Sequence, residues 1–484
     1  MSGNVQNYAQ HWLPLIIIKV CLVWACAPEL PVRNALQTAA LAATILPDDL
    51  TGNSPDGGDS GGGTPAIPYP LGLVTIAEVS WFGERYHATV ALNTRNFSHA
   101  SNLLLGPDQK LHFAYSNDGQ VVYALSADKG ANWTPTNVTS ALATKASRLD
   151  LALNAAAQPA ILAIHDAFDF DGNGTDPNQS RELFEAGFDG SNWNYQGVKK
   201  SWSWSGSTYG YVKYFFNGYS ASALHINPAG DYQYLINEWG WTNYGNALHE
   251  LSRTAGSWNA GYASVSYADF GAYVSNETNP GDVDAGLQYL FGSFIKSDGT
   301  VYAFYNRYRF TSASRPHEGY YRTRPTSGAW SAATYIGNDF FGLDVRIDQA
   351  GNIHILSKTQ DELNLYYRKN FGAAELIATE TNKVHDGSLF VDANGRVTAA
   401  WSTWVASGGG YQFHEIRYNE RDTSGVWASA QDLTSGYTGF GKTAPIFVRG
   451  WRYDAWPARR QLVFCENYND GSDKKRIMLY TFAN

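Results

Sequence analysis

The chain has 484 residues, 44% of them hydrophobic, with 47 Gly, 16 Trp and only two Met, a balance that favours a large all-β domain over a helical enzyme. A formal net charge of -9 argues against nucleic acid as a partner. It leaves an anionic substrate open, because a substrate answers to local charge.

The first residues read as a leader. Trp12-Leu-Pro-Leu-Ile-Ile-Ile-Lys-Val-Cys21-Leu-Val-Trp-Ala-Cys26 has the apolar run of a secretory signal, placed within residues 1–30. Lys19 interrupts the run, so no membrane span is expected. Val23-Trp24-Ala25-Cys26 loosely resembles a lipoprotein cleavage site, which keeps a lipid anchor open. Residues 31–70 form a linker, acidic and Gly/Ser-rich from Asp48 onward. Cleavage after Cys26 leaves only Cys465, so packing rather than a disulfide must hold the fold. The protein is expected outside the cell or in a periplasm, as a monomer.

From residue 71 to 484 the pattern is turn, alternating strand, turn, Trp. The turns include Asp108-Gln-Lys-Leu-His112-Phe, Asp298-Gly-Thr-Val-Tyr302, Asp348-Gln-Ala-Gly351-Asn-Ile-His354 and Asp392-Ala-Asn-Gly395. Turn chemistry followed by period-two apolar residues means antiparallel hairpins. Sheets are predicted near residues 98–140, 147–200, 218–262, 284–336, 342–380, 386–432 and 442–483, with Val74–Trp81 and Tyr86–Asn93 joining the last. That gives a seven-bladed β-propeller, with six or eight blades as the neighbouring counts. His112 and His354 sit inside strands and read as structural.

Ser126-Ala-Asp128-Lys-Gly130-Ala-Asn-Trp133 resembles the Asp-box of sialidase-like secreted propellers. Its Asp is suited to bond turn amides, and its Gly to take a conformation other residues resist. Partial copies stand at Asp189-Gly190-Ser-Asn-Trp193, Ser252-Arg-Thr-Ala-Gly256-Ser-Trp258, Thr326-Ser-Gly328-Ala-Trp330 and Asp422-Thr-Ser-Gly425-Val-Trp427. The resemblance implies a propeller whose members include hydrolases, lyases and lectins. Where sialidases carry an Arg-Ile-Pro-like motif, this chain has Thr94-Arg95-Asn96.

The chemistry concentrates in the fourth sheet. Tyr305-Asn-Arg307-Tyr-Arg309-Phe and Arg315-Pro-His317-Glu318-Gly-Tyr320-Tyr321-Arg322-Thr-Arg324 place five Arg within twenty residues of an acidic chain. Arg forks pair with carboxylate or sulfate. The run from Tyr289 to Arg307 resembles the propeller lyases that cut ulvan and related uronate polymers, and His99 is similar to their catalytic His. The resemblance implies β-elimination. Arg307 neutralises the uronate carboxylate, His99 or His165 takes the C5 proton, and Tyr289 protonates the leaving oxygen. Arg309, His317, Tyr320 and Arg322 bind substrate. A hydrolase, with carboxylates such as Asp166, Glu238, Asp284 or Asp344, and a lectin are the other open classes. No organic cofactor is expected. Asp169, Asp171, Asn173 and Asp176 alternate with Gly as in calcium loops, although Pro177 and Ser180 stand where further ligands belong.

Overall fold

Inner-strand alternation and Asp/Gly turns produce seven antiparallel sheets arranged as the blades of a propeller. The computed structural model describes residues 72–80, 102–117, 120–140, 145–166, 180–202, 213–215, 223–227, 229–240, 247–259, 273–276, 287–308, 317–326, 328–407, 410–434, 440–452, 455–468 and 474–483. No helix occurs among them, and so none long and apolar enough to cross a membrane. The leader, the linker, the predicted strand Tyr86–Asn93, the calcium loop, His99, Asp284 and Arg309 lie outside the described residues.

Blade 1 runs from Leu103–Leu105 to Thr134–Asn137, and blade 2 from Lys145–Leu153 to Trp193–Trp202. Blade 3 is built on Tyr232–Gly240 and Ala247–Thr254, with the short strands Lys213–Phe215 and Ala223–Ile226 both on its inner side. Blade 4 spans Leu287–Ile295 to Thr334–Asn338, blade 5 Phe341–Ile347 to Glu375–Thr379, and blade 6 Lys383–Val391 to Gln431–Asp432. Blade 7 takes Phe440–Phe447, Gln461–Tyr468 and Lys474–Thr481 from the C-terminal end of the chain. Its outer strand is Gly72–Ser80, paired antiparallel to Lys474–Thr481. The ring is thus closed by strands from both ends of the propeller, which removes the open edges of a linear array.

Each blade buries both faces, because successive side chains alternate. One apolar cluster fills each junction between neighbours. Phe291, Phe304, Phe340, Val345 and Ile355 pack between blades 4 and 5, and Ala223, Leu235, Leu248, Leu290 and Tyr305 between blades 3 and 4. A buried Phe or Leu contributes about 1.5–3 kcal/mol, so these clusters dominate the stability of the ring.

The repeated turns add a polar staple. In blade 1, Asp128 Oδ1 accepts Asn132 N at 2.8 Å, Ser126 Oγ accepts Gly130 N at 2.7 Å, and Trp133 Nε1 donates to Gly130 O at 3.1 Å. Gly130 has φ 97°, and a Cβ there would lie 2.3 Å from Leu479 of blade 7. In blades 3, 4 and 6 the indole of the turn reaches the preceding blade. Trp258 Nε1 donates to Glu185 at 2.9 Å, Trp330 Nε1 to Glu250 at 3.1 Å, and Trp427 Nε1 to Glu375 at 3.1 Å. The Arg that ends each third strand joins the same carboxylate, as Arg253 with Glu185, Arg324 with Glu250 and Arg421 with Glu375. Trp330→Phe keeps the ring but leaves a buried oxygen of Glu250 one donor short. It is expected to cost about 1–3 kcal/mol, read as a lower urea midpoint at unchanged slope. A midpoint within error of the parent would show that the indole only fills space.

His112 and His354 are structural, as their strand positions suggest. Each ring spans a Tyr hydroxyl and a turn Asp: His112 lies 2.5 Å from Tyr123 Oη and 2.9 Å from Asp108, and His354 lies 2.7 Å from Tyr367 Oη and 3.1 Å from Asp348.

Candidate functional site

The first and third strands of every blade run in one direction, so the loops joining second to third strands and blade to blade share one face of the ring. The short Asp/Gly turns occupy the other. Side chains at the loop face come from the starts of first and third strands and the ends of second strands.

At the loop face, blades 4, 5 and 6 bring a polar group together. His385 Nδ1 lies 2.7 Å from Asp386 Oδ2, and Asp386 is fully buried while the His385 ring is 15% exposed. With the carboxylate accepting from Nδ1–H, Nε2 is the nitrogen that carries the lone pair. Trp404 lies edge-on to His385, with ring centroids 6.5 Å apart, and the Lys383 ammonium sits 5.3 Å above the indole. Lys383 is also 3.6 Å from Glu362. The buried Lys358 ammonium donates to Glu362 and packs 5.1 Å above the Phe341 ring, whose other neighbour is His317 at 5.1 Å. A carboxylate-supported imidazole, one exposed ammonium and an indole therefore share one patch, beside the buried Lys358 paired with Glu362. An imidazole held by a carboxylate can accept a proton, and an exposed ammonium beside it can meet an anion.

His317 belongs to this patch. Burial, then the nearby Lys358 charge, pushes its pKa down from 6.5 to about 4. A lowered His pKa means that the folded state resists protonation. The stability His317 contributes is complete above pH 6.5 and is lost as pH falls toward 4. His317→Phe is expected to flatten the fall of the urea midpoint across that window. Parallel curves for the two proteins would count against this origin.

The remaining residues anticipated in blade 4 lie elsewhere. Arg307, Tyr320 and Arg322 share the flank toward blade 3, on the same faces as Tyr305 and Ala303, while His317 faces blade 5. Tyr320 Oη donates to Glu318 at 2.8 Å and its ring stacks on Tyr305. Arg322 Nε donates to Tyr305 Oη at 3.3 Å and Nη1 to Ser331 O at 3.1 Å. Tyr320 and Arg322 thus bond within the junction wall. Arg307 is half-buried near the loop-face end of its strand. Tyr289 pairs by its backbone with Asn306, and His165 with Ala146 and Glu182, which places Tyr289 and His165 at the loop-face ends of their strands. Asp166 ends the same strand as His165, and Glu238 lies one residue from Trp239 in Tyr232–Gly240. Among the described residues, no group of three or more His, Cys, Asp or Glu is placed to hold a metal.

Asp344 is in the channel rather than at the loop face. It is fully buried and accepts Arg346 Nε at 2.9 Å, Arg449 Nη2 at 2.7 Å, Ser388 Oγ at 2.9 Å and Leu389 N at 2.8 Å. Arg346 goes on to Ser388 Oγ at 3.0 Å and Phe447 O at 3.3 Å, so the set ties blades 5, 6 and 7 across the centre. Arg449 belongs to a segment that pairs in parallel with Leu104–Leu105 of blade 1, and Asp150 of blade 2 lies close enough to act on its charge. Below this set, toward the turn face, a cavity of about 130 Å³ is walled by apolar ends of the inner strands and by Trp451 and Trp456.

No protein-family model matches the sequence, and no curated protein matches it. Solved structures that resemble the fold include the polysaccharide lyase Uly1, at 10% identity and TM-score 0.44, over 84% of this chain and 92% of that one. An alpha-L-arabinanase of Penicillium chrysogenum gives 10% and 0.42, over 76% and 99%. The alpha-L-arabinofuranosidase Arb93A of Fusarium graminearum gives 10% and 0.40, over 84% and 98%. All three are named as carbohydrate-active enzymes. At these identities and scores none of them bears on the substrate or site of this chain.

Proposed function

We propose that the protein is a secreted polysaccharide lyase that cleaves an anionic, uronate-containing polymer by β-elimination. The observation that carries this reading is the His385–Asp386 pair at the loop face, bonded at 2.7 Å beside Lys383 and Trp404. The chemistry asks for a base at C5, a cation at the uronate carboxylate and a proton for the leaving oxygen. His385 is the base, Asp386 holds its tautomer and stabilises the imidazolium that forms, and that imidazolium returns the proton to the leaving oxygen. Lys383, 48% exposed at its side chain, meets the carboxylate, and the buried Trp404 beneath it holds its ammonium in place. Arg307 and Tyr289 belong to blade 4 strands near their loop-face ends, and substitution of each tests whether the polymer path extends there. A calcium ion held by Asp169, Asp171, Asn173 and Asp176 is proposed as a structural aid only.

The test is incubation with ulvan, alginate and other uronate polymers while ultraviolet absorbance is followed. Only a lyase makes the unsaturated uronate that absorbs. A second reading, glycoside hydrolysis, has its own observation. Glu466 is fully buried between Arg476 and Lys442, with its carboxyl pKa raised by burial, and the half-buried Glu415 acts on its charge. Two neighbouring carboxyls, one of them buried, suit acid and base roles. Release of reducing sugar without absorbance would favour it.

A further inference from the structure

His385 and Asp386 occupy a β-bulge. The ladder between Lys383–Val391 and Val397–Ser407 slips between Val384 and Gly387, where two residues face the single Ser402. Adjacent residues on a regular strand point to opposite faces, and a bulge is what lets such a pair meet. Bulged residues also lose ladder partners, so their backbone groups must be held in some other way. Asp386 N donates to Ser402 Oγ at 3.3 Å. The carbonyls are held from the next blade. Lys358 Nζ donates to Val384 O at 2.7 Å and to His385 O at 3.2 Å, and its third bond goes to Glu362 Oε1 at 3.0 Å. An ammonium has three hydrogens, so this set uses all of them. Glu362 adopts φ 64°, a left-handed conformation that a long side chain seldom takes. From that turn its carbonyl accepts Val384 N at 2.7 Å. The bulge is therefore gripped on its amide side by Glu362 and on its carbonyl side by Lys358.

We propose that Lys358 is a positioning residue: it sets the bulge, and through it the pairing of His385 with Asp386. A buried ammonium is costly unless its bonds are complete, and here the completing acceptors are two successive carbonyls at the bulge. The contribution to turnover rests on the reading of His385 as the base. The effect on the imidazole does not, and it is measured without substrate.

The charged groups around the imidazole are Asp386, Lys358, Lys383 and Glu362. Heteronuclear NMR of histidine-labelled protein reads the tautomer and titration of His385 directly. In the parent, the Nδ1–H tautomer is expected. In Lys358→Met a mixture of tautomers is expected, while Glu362→Gln, which spares both carbonyl bonds, keeps the parent tautomer. On a uronate polymer, Lys358→Met is expected to lose about tenfold or more in kcat with KM within about twofold. If Lys358→Met does not fold, Lys358→Arg carries the same measurement, since a planar fork cannot match three acceptors grouped around one nitrogen. A folded Lys358 variant with the parent tautomer overturns the proposal, even where activity falls. A shifted imidazole in a protein inactive on every uronate polymer leaves the proposal standing and removes the lyase reading.

Discussion

His385→Ala is expected to fold like the parent and to lose about a hundred- to ten-thousand-fold in turnover on a uronate polymer, the range that one positioned base contributes. Folding should survive because the ring, 15% exposed, sits at the open end of an inner strand and takes no part in an apolar cluster. Asp386→Asn is the sharper companion. An amide can offer its N–H to Nδ1 and so favour the wrong tautomer, leaving the fold intact while most of the rate is lost. Circular dichroism, the urea midpoint and initial rates on one preparation decide the matter. Parent-like rates for His385→Ala would remove the dyad from the mechanism. His165, whose strand also ends at the loop face, would then be the next base to substitute.

The largest effect on stability is expected from Asp344→Leu. This change strands Arg346 and Arg449, both almost buried, with no carboxylate between them. Their mutual repulsion already matters: burial, then the neighbouring Arg346, brings the Arg449 pKa down to about 9. Removing one partner of a buried ion set costs about 3–5 kcal/mol. Replacing Asp344, Arg346 and Arg449 by Leu, Met and Met together with Asp150→Asn is expected to recover most of that loss, because the buried charges and their cost leave together. If Asp344→Leu loses less than about 1 kcal/mol, the channel set is ornamental to the fold.

The blades were legible because their information is local. A turn Asp, a Gly with positive φ and a following Trp lie within eight residues, and Gly130, Gly190, Gly256, Gly299, Gly351, Gly395 and Gly425 all have positive φ. Closure by the first strand was legible too, since Val74–Trp81 matches the alternation of the last sheet and nearly coincides with Gly72–Ser80. The site was less so. His385 and Asp386 are consecutive, and alternation sends consecutive side chains apart; only the register slip brings them together, and register is a property of two strands. The one available hint was the dipeptide itself, repeated at His165-Asp166. The partners of the Arg-rich run of blade 4 were hidden for a related reason. Arg324 is bound by Glu250, a residue 74 positions earlier. Seen alone it reads as a free cation. In the ring it is part of the wall.

Blade 7 joins residues 72–80 to residues 474–481. The strand that leaves the ribosome early must wait for nearly the whole ring before its partner exists. Six blades therefore stack against one another while both ends of the array remain unsealed, and the final sheet forms in a single late event. The chain's two ends are in this sense one element. Deletion of Gly72–Ser80 should leave the edge of Lys474–Thr481 unpaired and exposed to other chains.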